Sequence, residues 1–174
     1  MKEQSEATQT GNRYYGVGGI HAVVAFFANY VNFTGRSTRR EYWWFQLWNY
    51  LFAVIVYGGL LLTLFGSWRQ LLTGSTPELQ GGQIAVLLVL IVLLFVVSIG
   101  LFVPSLALAV RRYRDAGIHW GVFIAVQAVS FVAAMSLELV HGWPVIVLAV
   151  IVVVIWLVNF VITVLPSKPL SSAA

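Results

Sequence analysis

The stretch RRYRDAG at residues 111–117 decides the fold of this chain, because it fills the short gap between two long apolar runs. One run ends at Ala109 and the next begins at Trp120. Charged side chains are costly inside a bilayer, so arginines and an aspartate in such a gap mark a turn at a membrane surface. The other charges, located relative to this turn, predict how the chain is threaded.

Composition also points to a membrane. Of the 174 residues, 60% are apolar and only 9% are charged, whereas about a quarter of the residues in an ordinary soluble domain are charged. A soluble fold of this size leaves too much surface exposed to hide so many apolar side chains. The chain has no cysteine, which excludes disulfides, thiolate catalysis and cysteine-ligated metals.

The N-terminal region precedes any segment of membrane-spanning length. Residues 1–19 are polar and rich in glycine, which predicts a disordered cytoplasmic tail. Residues 20–31 carry apolar side chains at helical spacing, but this segment is shorter than the roughly 20 residues that cross a bilayer. We expect a short amphipathic helix that lies in the interface or packs under the bundle.

The later part of the chain contains four segments long and apolar enough to span a membrane. The first should begin as a helix at Thr38, because Thr38 and Glu41 have the spacing of a capping box, in which each side chain bonds the other's backbone. Aromatic residues at 42–44 follow at once and are typical of a membrane interface. The sequence therefore predicts an all-α protein with a single four-span membrane domain over residues 20–165, in which an integral membrane four-helix bundle follows the short amphipathic helix, and then a loose cytoplasmic tail at 166–174. The predicted spans are residues 42–65, 84–109, 120–140 and 143–165.

Basic residues are distributed unevenly about these spans. Only Arg69 lies between the first and second spans, and none lies between the third and fourth. Because cytoplasmic loops carry an excess of Lys and Arg, both termini should be cytoplasmic, which an even number of spans allows. The basic residues on the predicted cytoplasmic side are Lys2, Arg13, Arg36, Arg39, Arg40, Arg111, Arg112, Arg114 and Lys168.

Two blocks of the chain resemble motifs of a known family. Residues 32–43, NFTGRSTRREYW, are similar to an F-x-G-R-x-x-R-x-E-[FY]-W motif before the first span, and residues 111–117 are similar to an R-R-L-[HR]-D-x-G motif after the second. The chain departs from that pattern at Tyr113, where leucine is usual, and at residues 118–120. The resemblance is to the bacterial inner-membrane family known as domain of unknown function 805. It implies a bacterial cytoplasmic membrane and a four-helix bundle, and it implies no activity.

The arginine turn and the start of the first span should meet on one side of the membrane, and we call the charged residues there the arginine rim. One interpretation is a topology signal that also attracts anionic lipid, worth about 1 kcal/mol per basic residue near the surface. A sharper one is a specific site for a phosphate-bearing headgroup or a nucleotide, because a guanidinium pairs bidentately with phosphate. Nucleic acid is not an expected partner, since no recognised motif occurs. The rim comprises Arg36, Arg39, Arg40, Glu41, Arg111, Arg112, Arg114 and Asp115.

The two acids of the arginine rim should relieve repulsion among its arginines. We expect Asp115 to pair with an arginine in residues 36–40, and Glu41 to approach an arginine in residues 111–114. The alternative is local pairing, with Asp115 bound to Arg111 one turn back and Glu41 engaged in its own helix cap.

A set of polar residues, here called the polar layer, should lie inside the membrane at a common depth. At 1.5 Å per residue Asn49, Gln127 and Asn159 fall about 9–11 Å from the cytoplasmic side, and Ser105 lies near that level on the second span. They either form hydrogen bonds between helices, worth about 0.6–2 kcal/mol each, or form the floor of a cavity below the arginine rim. The polar layer comprises Asn49, Ser105, Gln127 and Asn159.

These patterns favour a non-enzymatic membrane module whose basic cytoplasmic face engages anionic lipid headgroups or a partner protein, with a second copy of the chain as a further candidate partner. The main alternative is a small transporter or exporter that uses the polar layer. A membrane enzyme with Asp115 as base is a third interpretation, but it lacks a nucleophile or metal cluster. No cofactor or metal is expected, because His141 falls on the opposite side of the membrane from His21 and His119.

Overall fold

A computed structural model describes residues 10–74, 81–139 and 141–169 of the chain. None of these residues lies in a strand, so the prediction of an all-α protein is confirmed. The helices, labelled in chain order, are α1 (His21–Ala28), α2 (Arg39–Leu72), α3 (Gly81–Asp115), α4 (Trp120–Leu139) and α5 (Trp143–Val164).

The contacts divide the chain into two compact units. Unit one joins Met1–Phe45 and Pro104–Ala174, and unit two is Gln46–Val103. Unit one therefore contains the arginine rim, all of α1, α4 and α5, the start of α2 and the end of α3. Unit two contains the remaining parts of α2 and α3.

Three helices among the described residues are long and apolar enough to cross a membrane: Arg39–Leu62 within α2, and the whole of α3 and α5. Helix α4 contains a shorter apolar stretch, Trp120–Ser136. Large apolar side chains are exposed along all four helices, as suits a surface that faces lipid. Within the described residues the helices contain the predicted spans, except that α5 ends one residue before the expected boundary.

Helix α3 does not end with its apolar run at residue 109 but continues to Asp115. Basic residues occupy its last turn, where the partial negative charge of a helix C-terminus favours cations. The turn begins only after Asp115: Gly117 has φ +79°, its N–H donates to Arg114, and the Ile118 N–H donates to the carbonyl of Tyr113. This is a Schellman motif, which glycine closes without steric strain.

The core of unit one forms where α3, α4 and α5 meet. Val110 and Tyr113 pack with Phe123 and Ile162, and Ile118 packs against this cluster from the turn. The rings of Tyr113 and Phe123 are in a T-shaped arrangement with centroids 5.3 Å apart, a geometry that aromatic pairs favour. The cluster holds the last turn of α3, and with it the arginines of that turn, in a defined orientation.

The short helix α1 packs against protein along one face. The ring of Phe26 is fully buried and stacks on that of Phe45, with centroids 3.6 Å apart. Ala22 and Ala25 are also buried. The predicted helix over residues 20–31 is thus present but covers only residues 21–28.

Candidate functional site

The arginine rim is organised around Asp115, whose carboxylate is completely buried. Its Oδ2 lies 2.9 Å from Nη1 of Arg112, and its Oδ1 lies 3.2 Å from Nε of Arg36. The Tyr15 hydroxyl donates to Oδ1 at 2.7 Å, and the Ser167 hydroxyl donates to Oδ2. Two cations and two hydroxyls therefore compensate the charge, as a buried carboxylate requires.

The pairing of Asp115 combines the two arrangements expected from the sequence. Arg36 comes from the segment before α2, so the predicted contact between the two blocks is confirmed. A local pair is present as well, but its partner is Arg112 rather than Arg111. Residues three apart lie on the same face of a helix, which brings Arg112 and Asp115 together.

Arg112 also ties the end of α5 to the end of α3. Its Nε donates to the Thr163 carbonyl at 3.0 Å, and its Nη2 donates to the Leu165 carbonyl. The Trp43 indole N–H donates to the Thr163 carbonyl at 3.3 Å. These donors satisfy carbonyls that the last turn of a helix leaves without intrahelical partners.

The C-terminal tail closes over Asp115. The Lys168 N–H donates to the Asp115 carbonyl at 2.7 Å, and Nη2 of Arg36 donates to the carbonyls of Asp115 and Lys168. The prediction of a loose tail at 166–174 is therefore not met at Ser167 and Lys168, and residues 170–174 lie outside the described residues. The buried aspartate recruits the tail because its oxygens need more donors than the rim arginines supply.

Glu41, also fully buried, is joined to Arg111 through a serine. Nε of Arg111 donates to the Ser37 hydroxyl at 2.8 Å, and that hydroxyl donates to Oε1 of Glu41 at 2.9 Å. The predicted helix cap is present, because the Glu41 N–H donates to Oγ1 of Thr38 at 3.2 Å. The other half of the capping box is absent, since the carboxylate turns inward to Ser37 and Asn12.

The second buried arginine, Arg111, fixes the loop that precedes α2. Its Nη1 donates to the carbonyls of Asn29 and Asn32, at 2.9 and 2.8 Å. Its Nη2 is buried and makes no hydrogen bond to the described residues. Burial of this charge carries a cost, which the bonds to the loop and the nearby Glu41 must offset.

The segment before α1 is folded into the same network. The Asn12 side chain is buried, donates to Glu41 and to the Arg36 carbonyl, and accepts a bond from Asn29. The Arg36 N–H donates to the Thr10 carbonyl at 2.8 Å. A Cβ at Gly35 would lie 2.8 Å from the Gly11 carbonyl oxygen, so this close approach requires glycine.

The prediction of a disordered tail over residues 1–19 therefore does not hold for residues 10–19, whereas residues 1–9 lie outside the described residues. Residues 10–19 are ordered by the burial of polar side chains rather than by the burial of apolar ones. Asn12 and Tyr15 are held by the charges of the rim, and a segment without hydrophobic periodicity gives no signal of such contacts.

Tyr15 is a donor that stays protonated at neutral pH. Burial raises the pKa of its phenol above the usual range, and the hydrogen bond to the Asp115 carboxylate raises it further. A phenol in this position therefore supplies a fixed hydrogen bond rather than a titrating charge.

Sequence reasoning missed five side chains of this network. The sequence contains a signal for two of them. Asn29 lies outside the apolar stripe of α1, and Ser37, four residues before Glu41, lies on the same side of the start of α2. The others occur in segments with no periodic pattern. The missed residues are Asn12, Tyr15, Asn29, Ser37 and Ser167.

The arginine rim divides into buried, intermediate and exposed members. Charges that are used internally are not available to a ligand, so only the outer members present a basic surface. Glu41, Arg111, Arg112 and Asp115 are buried, Arg36 and Arg114 are intermediate, and Arg39 and Arg40 are exposed.

The polar layer is only partly assembled in unit one. Nδ2 of Asn159 donates to Oε1 of Gln127 at 3.0 Å, and the Tyr113 hydroxyl donates to Oδ1 of Asn159 at 2.6 Å. Ser105 is exposed on α3, and Asn49 belongs to unit two. The observed bonds link α3, α4 and α5, which favours the interpretation as hydrogen bonds between helices.

The site gathers charged and hydrogen-bonding side chains around two buried carboxylates. Both Asp115 carboxylate oxygens are already bound by arginines and hydroxyls. Within the described residues, no three His, Cys, Asp or Glu side chains come together as metal ligands would.

Fold and site together define a class: an all-helical protein with helices of membrane-spanning length and a buried arginine–carboxylate network at one end of its first unit. The family model described as Protein of unknown function (DUF805) matches residues 30–172, and the chain belongs to that family. Neither the curated proteins nor the solved structures contain a match to the chain.

Proposed function

We propose that this protein is a non-enzymatic module of a bacterial inner membrane, with both termini cytoplasmic, whose basic face engages anionic lipid headgroups. The long apolar helices support a place in the membrane, and the uneven distribution of basic residues supports the orientation. A neighbouring membrane protein or a second copy of the chain is a further candidate partner for the same face.

The contacts of unit one support a single cytoplasmic end. The start of α2 contacts the end of α5 through Trp43 and Thr163, and the end of α3 contacts both the N-terminal segment and the C-terminal tail through Asp115. An N-terminal and a C-terminal segment that meet at one end are what an even number of crossings between them produces.

The observation that carries the proposal is the exposure of Arg39 and Arg40 beside an aromatic cluster. Both lie in the first turn of α2, immediately before residues 42–44, and Trp44 is 38% exposed. Tryptophan and tyrosine are enriched at the headgroup level of a bilayer, so these arginines would lie where phosphates are found. The buried arginines, by contrast, are used within the protein.

The polar layer does not favour transport. Gln127 and Asn159 bond to each other rather than to an open path. Among the described spans only α3 has a proline in its interior, Pro104, since Pro144 lies in the first turn of α5, whereas broken helices of transporters usually come in corresponding pairs. The alternative of a small exporter is therefore the weaker proposal.

We expect the double variant Arg39→Gln/Arg40→Gln to lose preference for anionic lipid. Each basic residue near the surface contributes about 1 kcal/mol before salt screening, so the preference for phosphatidylglycerol over phosphatidylcholine should fall by about tenfold. The measurement is competitive lipid association with the reconstituted protein at low and moderate salt.

The matched control is Arg39→Lys/Arg40→Lys, which keeps both charges and should keep the preference if the attraction is electrostatic. An unchanged preference in the glutamine variant would reject these arginines as the headgroup-binding surface.

A further inference from the structure

Unit one contains a polar cavity of about 550 Å³ beside the arginine rim. Two arginines with spare donors contribute to its wall. Arg36 uses Nε and Nη2 on Asp115 and Lys168, and Arg114 uses Nη1 on the Thr34 carbonyl. The cavity is lined by Thr10, Gly11, Thr34, Arg36, Arg114, His119 and Trp120.

His119 adds a ring N–H donor to this cavity. Its Nδ1 accepts the Gly121 N–H at 3.0 Å, so the ring proton of the neutral form is on Nε2. The Nε2 proton is therefore available for a hydrogen bond to an acceptor. Two guanidinium groups and an imidazole N–H form a donor-rich wall that suits a phosphate.

A second cavity, of about 360 Å³, is apolar and shares part of its wall with the first. Helices α3 and α4 contribute its aliphatic side chains, and Leu106 lies about 13 Å from the end of α3 at 1.5 Å per residue. Both cavities are of the size that binds small molecules. The apolar cavity is lined by Phe33, Thr34, Leu106, Val110, Arg114, Trp120 and Ile124.

The shared wall consists of Thr34, Arg114 and Trp120. A tryptophan and an arginine with an apolar stem and a polar tip are suited to the boundary between headgroups and acyl chains. The polar cavity is lined mainly by segments outside the helices, whereas the apolar cavity extends along the apolar helices α3 and α4. An amphiphile with an anionic head and an apolar tail matches a polar cavity that adjoins an apolar one.

We propose that the two cavities form one site for a single anionic phospholipid, with its phosphate among Arg36, Arg114 and His119 and one acyl chain against Leu106, Val110 and Ile124. This site rests on the proposed function but goes beyond it. The exposed Arg39 and Arg40 attract many headgroups from the surrounding bilayer, whereas the cavities hold one lipid in a defined position.

The test is native mass spectrometry of the full-length protein after gentle detergent extraction, with phosphatidylglycerol as the probe lipid. We expect one retained lipid per chain that survives moderate salt. Arg114→Gln should weaken its binding by about tenfold, as loss of a charge-assisted bond does, and Arg114→Lys should weaken it less.

A second variant tests the acyl-chain part without touching the charges. Ile124→Trp fills the apolar cavity and should also weaken lipid binding by about tenfold. Phe131→Trp is the matched control, because Phe131 lies two turns further along the same face of α4 and outside the cavity lining; it should retain the lipid.

Inorganic phosphate distinguishes the two sources of the anion. If phosphate at millimolar concentration displaces the lipid and Ile124→Trp has no effect, the cavity is a site for free anions and the lipid site is rejected. Absence of any retained lipid also overturns this inference. Anionic preference in the bilayer that still depends on Arg39 and Arg40 would then leave the proposed function standing.

Discussion

Replacing Asp115 by asparagine should cause one of the largest losses of stability available in this chain. The change keeps the size of the side chain but removes the only acid that contacts Arg36 and Arg112 within the described residues. Removing one member of a buried ion pair typically costs about 3–5 kcal/mol, because the remaining charge is left uncompensated. The measurement is reversible or kinetic unfolding of the purified protein in detergent.

A double-mutant cycle separates the contact between blocks from a general loss of charge. Asp115→Asn and Arg36→Gln should couple by about 0.5–3 kcal/mol, as residues in one network do. Arg39→Gln and Arg40→Gln serve as controls and should be additive with Asp115→Asn, because both arginines are exposed. Additive losses for Arg36 would mean that the ion pair at 3.2 Å contributes nothing to stability.

A comparable loss is expected for Arg111→Met. The change removes the donors to the Asn29 and Asn32 carbonyls and to Ser37, and leaves Glu41 buried without its nearby cation. The expected cost is about 3–5 kcal/mol in the same unfolding measurement.

Adding Glu41→Gln to Arg111→Met should recover part of that loss, since a buried pair replaced as a whole is far less costly than a pair broken on one side. Arg39→Met is the exposed control and should change stability by less than about 0.5 kcal/mol. If the double variant is less stable than Arg111→Met, then Glu41 is stabilised by partners other than Arg111.

The helices could be predicted from the sequence because the apolar runs are long and clearly bounded. The capping residue Thr38 also marked the start of α2 correctly. The sequence predicts that the second span ends at residue 109, because residues 110–115 are rich in charge, but α3 continues to Asp115. They remain helical because the Val110–Tyr113 face packs into the core and the arginines find buried partners.

The distribution of charge in the sequence predicts the pairing of the rim acid Asp115 but not the burial of the individual arginines. An excess of arginine at one end of a bundle predicts that Asp115 will be shared between blocks, and Arg36 confirms it. Which arginines are buried depends on the rotation of α3 about its axis, which a local pattern of consecutive charged residues does not reveal. Arg111 and Arg112 are therefore interior, whereas Arg114 is only half-buried.

The polar segments could not be predicted, because their order comes from hydrogen bonds to buried charges. Asn12 and Ser167 lie in stretches without hydrophobic periodicity, yet both contact the rim acids. Hydrophobic periodicity predicts a segment that is ordered by apolar burial. It does not predict a segment whose order depends on hydrogen bonds to residues distant in the sequence.

The proposals about lipid all require that the basic end of unit one lies at the cytoplasmic surface, and thiol labelling tests this most directly. The natural chain contains no cysteine, so single variants give no background. His119, Lys168 and His141 are exposed, and each can be changed to cysteine. In intact spheroplasts, a membrane-impermeant maleimide should label His141→Cys, whereas His119→Cys and Lys168→Cys should react only after lysis. Labelling of either of the latter two in intact spheroplasts, or protection of His141→Cys until lysis, would contradict the cytoplasmic position of the arginine rim.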